Sequence, residues 1–449
     1  MPYRDLRDFL DALGGDLRRV AEPMSPRFEI AAALRQARPD APALLFDHIV
    51  GHPGWRVAGN LIAHRRRLAR AFDAAPEALA ETYLERKQRG IEPVTTTDAP
   101  VKQVVVTKGD DLLGTLPILT HHERDAGPYI TTGVVLCHDP ATGRRGMGIH
   151  RMMVKGGRRL GILLANPPLA LFHAAAEARG EPLEIAVALG LEPAIVVASV
   201  VKVGPLVPDK MAVAGALRGA PVEMFDAETV KLQVPARAEI VIEGRVLPGV
   251  RETEGPFGEN TGAYFSNASP VIEVSAVTHR RDPIYPGLTP WGTDVDMLLW
   301  LAAGTEMLGQ LRAQVGGVVD LEIAGGTAGF SMIVAVHGTS RPEVRRLIHL
   351  ALALDKRLKS VTVVDDDVDI RDPREVAWAM ATRMRPARDT ILVEGTEAYI
   401  IDPSGSGAAE GSKIGFDATR GSADPSFDKA RLDPAALARV RAVLGDLMQ

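Results

Sequence analysis

The spacing of hydrophobic positions changes twice along the 449-residue chain. Near the start, Leu6, Phe9, Leu10 and Leu13 recur at helical spacing and Gly14-Gly15 follows, which predicts an amphipathic helix closed by glycine. Arg27 to Ala37 and Pro76 to Lys87 read as further helices and Ala43 to Phe46 as a buried strand, so residues 1–98 form a small α/β domain. From Val101 onward the texture is that of strands. Runs rich in β-branched residues at Val101–Thr107, Tyr129–Cys137, Met147–Val154, Leu160–Leu164, Ile195–Val203, Glu239–Ile242 and Val271–Val277 are separated by turn residues. Asp139-Pro140-Ala141-Thr142-Gly143 between two of them is a hairpin loop. With helices at Pro167–Arg179 and Lys210–Arg218 interrupting the strands, residues 99–283 are expected to form an antiparallel barrel or sandwich. After Pro283 helices (Val295–Ala313, Glu343–Leu354, Arg374–Arg383) alternate with strands (Val318–Ala324, Ser331–Val336, Val361–Val364). Residues 284–449 thus read as a second α/β domain, ending in a helix, Pro434–Met448, suited to a partner subunit. The class is α+β.

Composition narrows this picture. Hydrophobic residues at 46% and charged residues at 24% exclude wholesale disorder, and 43 Gly with 32 Pro fit many turns. A net charge of -5 gives no reason to expect a nucleic-acid partner, and His64-Arg65-Arg66-Arg67 reads as one exposed helix face. The lone Cys137 cannot form an internal disulfide. Arg4, Asp5, Arg7 and Asp8 interrupt the start, which is therefore not expected to be a signal peptide, and no apolar run suits a bilayer. The cytoplasm is the expected compartment.

The stretch Glu252 to Gly262 concentrates candidate chemistry. It holds Glu252, Glu254 and Glu259 among three glycines and a proline, so it cannot be regular helix or strand throughout. In an extended chain the odd spacing of Glu254 and Glu259 would point them to opposite faces, but Gly255-Pro256 and Gly258 can bend the backbone so that both converge. Converging carboxylates repel, and one then keeps its proton and can act as an acid. A solvated acidic turn is the other reading. Arg151, flanked by Met147, Ile149, Met152 and Met153, needs an anion, whether a buried structural partner or a ligand.

Other stretches carry less. Gly405 to Lys413 is not a phosphate loop because its Gly and Lys are not adjacent, although Lys413 could meet a phosphate as a point charge. Gly325 to Gly329 leads into a strand, not a helix, and is a turn; Asp365-Asp366-Asp367 reads as a solvated strand end. His121, His122 and His150 lack zinc spacing.

Taken together, Arg151, Asp226-Ala227-Glu228-Thr229, Val234-Pro235-Ala236, Glu239 to Gly244, Glu254-Gly-Pro-Phe-Gly-Glu259, Trp378 to Arg383 and Lys413 to Thr419 resemble the UbiD family of decarboxylases over nearly the whole chain. The resemblance implies a central split β-barrel of flavin-reductase type, flanked by α/β domains and carrying prenylated FMN. It also implies assembly through the C-terminal domain into a homodimer or larger homo-oligomer, and a flavin prenyltransferase as cofactor supplier. The substrate it implies is a small aromatic or α,β-unsaturated carboxylic acid that gains or loses CO2. Arg151 would clamp the substrate carboxylate, Glu254 would hold Arg151, and Glu259 would return a proton to carbon. Cofactor contacts would fall on Thr132, Gly148, Ile149, His150, Arg151, Ser199, Glu228 and Lys413. Family members carry an Asn five residues before the arginine and a His about eighteen after it, which with a Glu hold a divalent metal (manganese, with potassium nearby). Here those positions are Gly146 and Leu169, leaving Glu228; His173, one helical turn beyond Leu169, reads first as a packed helix histidine and only second as a substitute ligand. The missing ligands keep open an alternative function, that of an auxiliary subunit of a multicomponent carboxylase.

The chemistry is consistent with the family. Decarboxylation leaves carbanion character, which requires an electron sink that no side chain offers, so an organic cofactor must supply it. The protein adds orientation and an acid.

Overall fold

The structure is a computed structural model that describes residues 3–38, 40–204, 207, 209–405, 410–420 and 429–444. It divides into two compact units, one of residues 1–306, 323–330 and 398–409 and one of the remainder.

In the first unit a four-stranded sheet runs in the order Leu17–Val20, Ala43–Phe46, Arg56–Gly59 and Ile284–Gly287. Its helix Leu6–Leu13 buries the four apolar residues expected, is capped by the Asp5 side chain on Asp8 N–H, and stops at Gly14. The helix Arg65–Ala71 departs from expectation: Arg67 is fully buried, its Nη1 donating to Ala41 O at 2.8 Å and pairing with Asp16 at 3.2 Å, so this is not a solvated basic face.

The centre of the unit is a nine-stranded antiparallel sheet. Its order is Tyr129–Ile130, Met152–Gly156, Arg159–Ile162, Tyr264–His279, Ile240–Gly258, Leu183–Leu189, Val134–His138 and Arg145–Ile149, with Val104–Val106 added to Tyr264–His279. Arg145–Ile149 ends the order at one edge and Met152–Gly156 lies second from the other, yet only His150 and Arg151 separate them in sequence. The three Cα–Cα steps from Ile149 to Met152 span no more than about 11 Å. The sheet must therefore curl into a half-barrel whose edges approach each other at Arg151. Ile185, Val187, Ile242, Val246, Ile272 and Val274 fill its interior, and each such fully buried side chain contributes roughly 1.5–3 kcal/mol.

Three expectations change here. Met147–Val154 is two strands, one at an edge of the sheet order and one next to the opposite edge, because the chain crosses the seam at His150-Arg151. Ile195–Val203 is largely helix, Pro193–Val200: Pro193 occupies the first turn and burial on nearly every side overrides the β-preference of its branched residues. Residues up to Gly258 in the acidic stretch are part of one long strand, Ile240–Gly258, paired to Tyr264–His279.

The second unit holds a five-stranded sheet, ordered Val318–Ile323, Ser331–Val336, Ser360–Asp365, Glu410–Ala418 and Thr390–Glu397. Helix Arg341–Leu354, started by a Ser340/Glu343 capping box, buries Val344, Leu347, Ile348 and Ala351. The C-terminal helix is described as Pro434–Leu444, and residues 445–449 of the expected helix lie outside the described residues. Among the described residues, no helix is long and apolar enough to cross a membrane.

Candidate active site

The acids reach the seam through a flaw in the strand. Glu254 pairs with Asn267 and Phe257 with Phe265, so Gly255 and Pro256 together oppose Ser266 alone. One extra residue inverts the alternation beyond it. The odd spacing of Glu254 and Glu259 thereby becomes effectively even, and both carboxylates arrive on the side of Arg151. Gly255 makes the bulge feasible: its φ is +117°, and a Cβ there would lie 2.5 Å from Phe265 O.

Arg151 lies between the two acids. Its Nε donates to Glu254 Oε1 at 3.1 Å and its Nη2 to Glu254 Oε2 at 2.8 Å, a two-point grip, while Nη1 meets Glu259 Oε1. The carboxylates do not face each other, as the sequence reading had them; the guanidinium separates them. The Glu254 side chain is fully buried, whereas that of Glu259 keeps 13% exposure. Phe257 lies under the guanidinium at 4.9 Å and stacks on Tyr129 at 4.1 Å. Burial raises the Tyr129 phenol, and the Glu254 charge adds to the effect.

A loop the sequence reading passed over fixes Glu259. Asp125 Oδ1 accepts from Gly258 N–H at 2.9 Å and its Oδ2 from the His122 N–H at 2.9 Å. Burial alone would raise the Asp125 carboxyl, but these bonds together with the His122 ring hold it below the ordinary range. Glu259 N–H then donates to Ala263 O at 2.9 Å, closing a tight turn. The signal was present in His121-His122-Glu123-Arg124-Asp125, but nothing in its spacing tied it to a residue 133 positions away. Glu252, the third acid of the stretch, pairs with Arg159 at 2.6 Å and Lys155 at 3.4 Å.

The proposed cofactor contacts fall into two sets. Gly148, Ile149, His150 and Arg151 follow one another at the seam. His150 is buried, its Nδ1 lies 2.9 Å from Leu163 O, and burial, with the Lys210 charge adding, lowers it to about 4, so it is neutral near pH 7. Ser199, in the last turn of helix Pro193–Val200, gives its carbonyl to Lys210 Nζ at 2.7 Å. Thr132 donates to Pro286 O at 3.1 Å and lines a cavity with Leu61, Ile62, Leu191, Leu288 and Asp294. That cavity contains about 480 Å³ of empty space, part of it continuous with solvent. Thr131 and His121 both bond Leu288 O, linking the cavity wall to the Phe257 cluster.

Two residues of the set are employed elsewhere. Glu228 is about two-fifths exposed and pairs with Lys102 at 2.8 Å. Lys413 belongs to the second unit, where its buried ammonium donates to Leu352 O at 2.7 Å and Asp355 O at 3.0 Å at a helix end, so two of its three donors are placed.

A divalent metal does not fit these residues. A Cβ on Gly146 would lie 2.8 Å from the Phe172 ring and 3.0 Å from Cys137 Sγ, and Leu169 is buried and apolar. His173 is buried on the same helix, where burial lowers it. Among the described residues, no three His, Cys, Asp or Glu side chains gather to hold a metal. The apolar wall of the Thr132 cavity suits a planar ring. The Asp365-Asp367 end is not solvated, since Arg383 bridges it at 2.9 and 2.8 Å.

Comparison with known proteins gives three family matches in chain order. The model described as the 3-octaprenyl-4-hydroxybenzoate carboxy-lyase (UbiD) Rift-related domain matches residues 92–293, and those of the same enzyme's N-terminal and C-terminal domains match 11–87 and 296–418. Anhydromevalonate phosphate decarboxylase of Methanothermobacter thermautotrophicus is 33% identical over 92% of this chain and 96% of its own. The UbiD-class enzyme HmfF of Pelotomaculum thermopropionicum, solved with FMN, superposes with a TM-score of 0.91 at 37% identity, covering 98% of this chain and 99% of that one. An evolved dimeric form of HmfF with prFMN gives 0.87 at 36%, covering 96% and 98%. The 3,4-dihydroxybenzoic acid decarboxylase of Enterobacter cloacae gives 0.90 at 30%, covering 98% and 99%.

Proposed function

The chain belongs to the UbiD family of carboxy-lyases, and from that premise we propose that it is a prenylated-FMN-dependent enzyme that reversibly decarboxylates an aromatic or α,β-unsaturated carboxylic acid. The observation that carries this reading is the Glu254–Arg151–Glu259 row at the seam of the curled sheet. The HmfF structures with FMN and prFMN support the cofactor, and the evolved dimeric form supports a homo-oligomer. A flavin prenyltransferase would supply the modified flavin. The split-barrel description and the three-part division near residues 98 and 283 belong to the same reading.

The cofactor supplies an electron sink for the charge left on carbon when CO2 departs. The chain's own residues do the rest. Two of the three Arg151 nitrogens are held by Glu254, so the guanidinium plane is fixed before substrate arrives. Only Nη1 is available to a substrate carboxylate, and Glu259 occupies it. Substrate binding therefore exchanges one carboxylate for another and releases Glu259, which takes up a proton from solvent and passes it to the carbon that CO2 has left. The apolar cavity beside Thr132 takes the substrate's hydrocarbon part and excludes water.

The test is coexpression with a flavin prenyltransferase, mass spectrometry of the bound flavin, and CO2 exchange over a panel of unsaturated acids. Modified flavin with exchange is expected; unmodified FMN that supports turnover, or no flavin, would overturn the reading. The absent metal ligands favour a second reading, an auxiliary subunit, for which flavin would bind but no acid would exchange.

A further inference from the structure

Lys210 opens helix Lys210–Arg218 and is half-buried. Its ammonium donates to Ser199 O at 2.7 Å, and among the described residues no carboxylate pairs with it. The neighbouring Asp209 is committed to Arg145 and to the Met211 N–H. Burial lowers Lys210 to about 8, with no acid opposing the shift. An ammonium carries three donors, and one accepted bond leaves two to place. A partly desolvated cation without a counter-charge is costly and is retained where an anion arrives to meet it.

Its surroundings say which anion. The family resemblance assigns Ser199 and His150 to the cofactor; His150 feels the Lys210 charge, and His150 Nε2 lies 3.1 Å from where a Gly148 Cβ would be. Leu169 closes the same cluster, 3.7 Å from that point. The positions expected to bring a metal to the cofactor phosphate, Gly146 and Leu169, thus carry no ligand atoms, while the Lys210 charge reaches His150, which lies against the same Gly148 position.

We propose that Lys210 provides, from within the chain, the positive charge that holds the phosphate of the flavin mononucleotide, in place of a divalent metal. The proposal rests on the flavin reading above and adds that binding is metal-independent and phosphate-selective through one side chain. No bond is made or broken.

The experiment is calorimetric or fluorescence titration of the purified full chain with FMN and with riboflavin, with EDTA and then with manganese, for the native protein and for Lys210→Met and Lys210→Arg. The native protein should bind FMN more tightly than riboflavin by at least roughly tenfold, the scale of a charge-assisted hydrogen bond, and neither EDTA nor manganese should alter this. Lys210→Met should lose the preference for FMN while riboflavin affinity stays constant, and Lys210→Arg should keep most of it. Riboflavin affinity reports that each variant is folded. A native preference for FMN that needs manganese, or one that survives in Lys210→Met, would overturn the proposal. Failure of both ligands to bind the native chain would instead remove the flavin reading itself, and this inference with it.

Discussion

Two arginines in this chain sit in nearly the same chemistry. Arg151 is flanked by Glu254 and Glu259 and lies over Phe257 at 4.9 Å; Arg383 is flanked by Asp365 and Asp367 and lies over Trp378 at 4.7 Å. The difference is in what the acids are attached to. Asp365 and Asp367 are two residues apart at one strand end, and Asp365 Oδ2 also accepts the Arg420 N–H at 2.8 Å, so the group is closed on itself. Glu254 and Glu259 lie either side of a bulge, and Glu259 sits in a turn; at 13% against 14% it is no more exposed than Asp365, so the difference is attachment and not exposure. An arginine between carboxylates is thus not itself a site. It becomes one when one of its acids can leave.

The first way to break this comparison is Glu259→Gln, which keeps shape and removes the titratable proton. Turnover should fall by about 10² to 10⁴, the range for a lost general acid, with little change in melting temperature. Full activity in that variant would reduce the 252–262 stretch to an acidic turn.

Arg383→Met should behave in the opposite sense. It leaves Asp365 and Asp367 without their cation and should cost about 3–5 kcal/mol of stability in denaturant titration, with kcat per folded molecule preserved. Arg151→Lys, by contrast, should lose activity because an ammonium cannot grip Glu254 at two points. Equal kcat losses for the two arginine variants would erase the distinction.

The third concerns Asp294, fully buried in the cavity beside Thr132, where burial raises its carboxyl to about 6 despite N–H donors from Ile62 and Asn60. In the unfolded chain the group titrates near 3.8. Below that pH both states are protonated; as pH rises to 6 the unfolded state ionises first, so stability falls by at most about 3 kcal/mol and is level above. Asp294→Asn should flatten the stability profile between pH 4 and 6. An unchanged profile would mean that Asp294 is solvated.

The smallest effect is expected at Lys413. Lys413→Met should cost about 1.5–3 kcal/mol through its two lost carbonyl bonds and leave FMN affinity alone; a large drop in affinity would return this lysine to the cofactor.

Much of the site could be read without coordinates because chemistry is local: three acids among glycines, and one arginine among methionines, announce a need for partners. Which partners meet is not local. The change of phase at Gly255-Pro256 depends on pairing with Phe265 and Asn267, and neither the seam at Arg151 nor the role of Asp125 could be inferred from spacing. Ile195–Val203 misleads for the same reason, since β-branched residues take a helix when burial surrounds them. Strands such as Leu17–Val20 and Arg56–Gly59 are only four residues long and alternate too briefly to register. Lys210 was visible only as the start of a helix.

The seam also has a temporal consequence. Arg151 reaches Glu254 across 103 residues, and its two flanking strands lie at one edge of the sheet order and next to the other. The strands Met152–Gly156, Arg159–Ile162, Tyr264–His279 and Ile240–Gly258 must pair side by side before the three residues meet, so competence arrives only after these long-range pairings. Contacts this distant in sequence form slowly. On dilution from denaturant, recovery of turnover should therefore trail recovery of strand signal, and a ribosome-bound nascent chain ending before Glu254 would carry Arg151 with nothing to hold it.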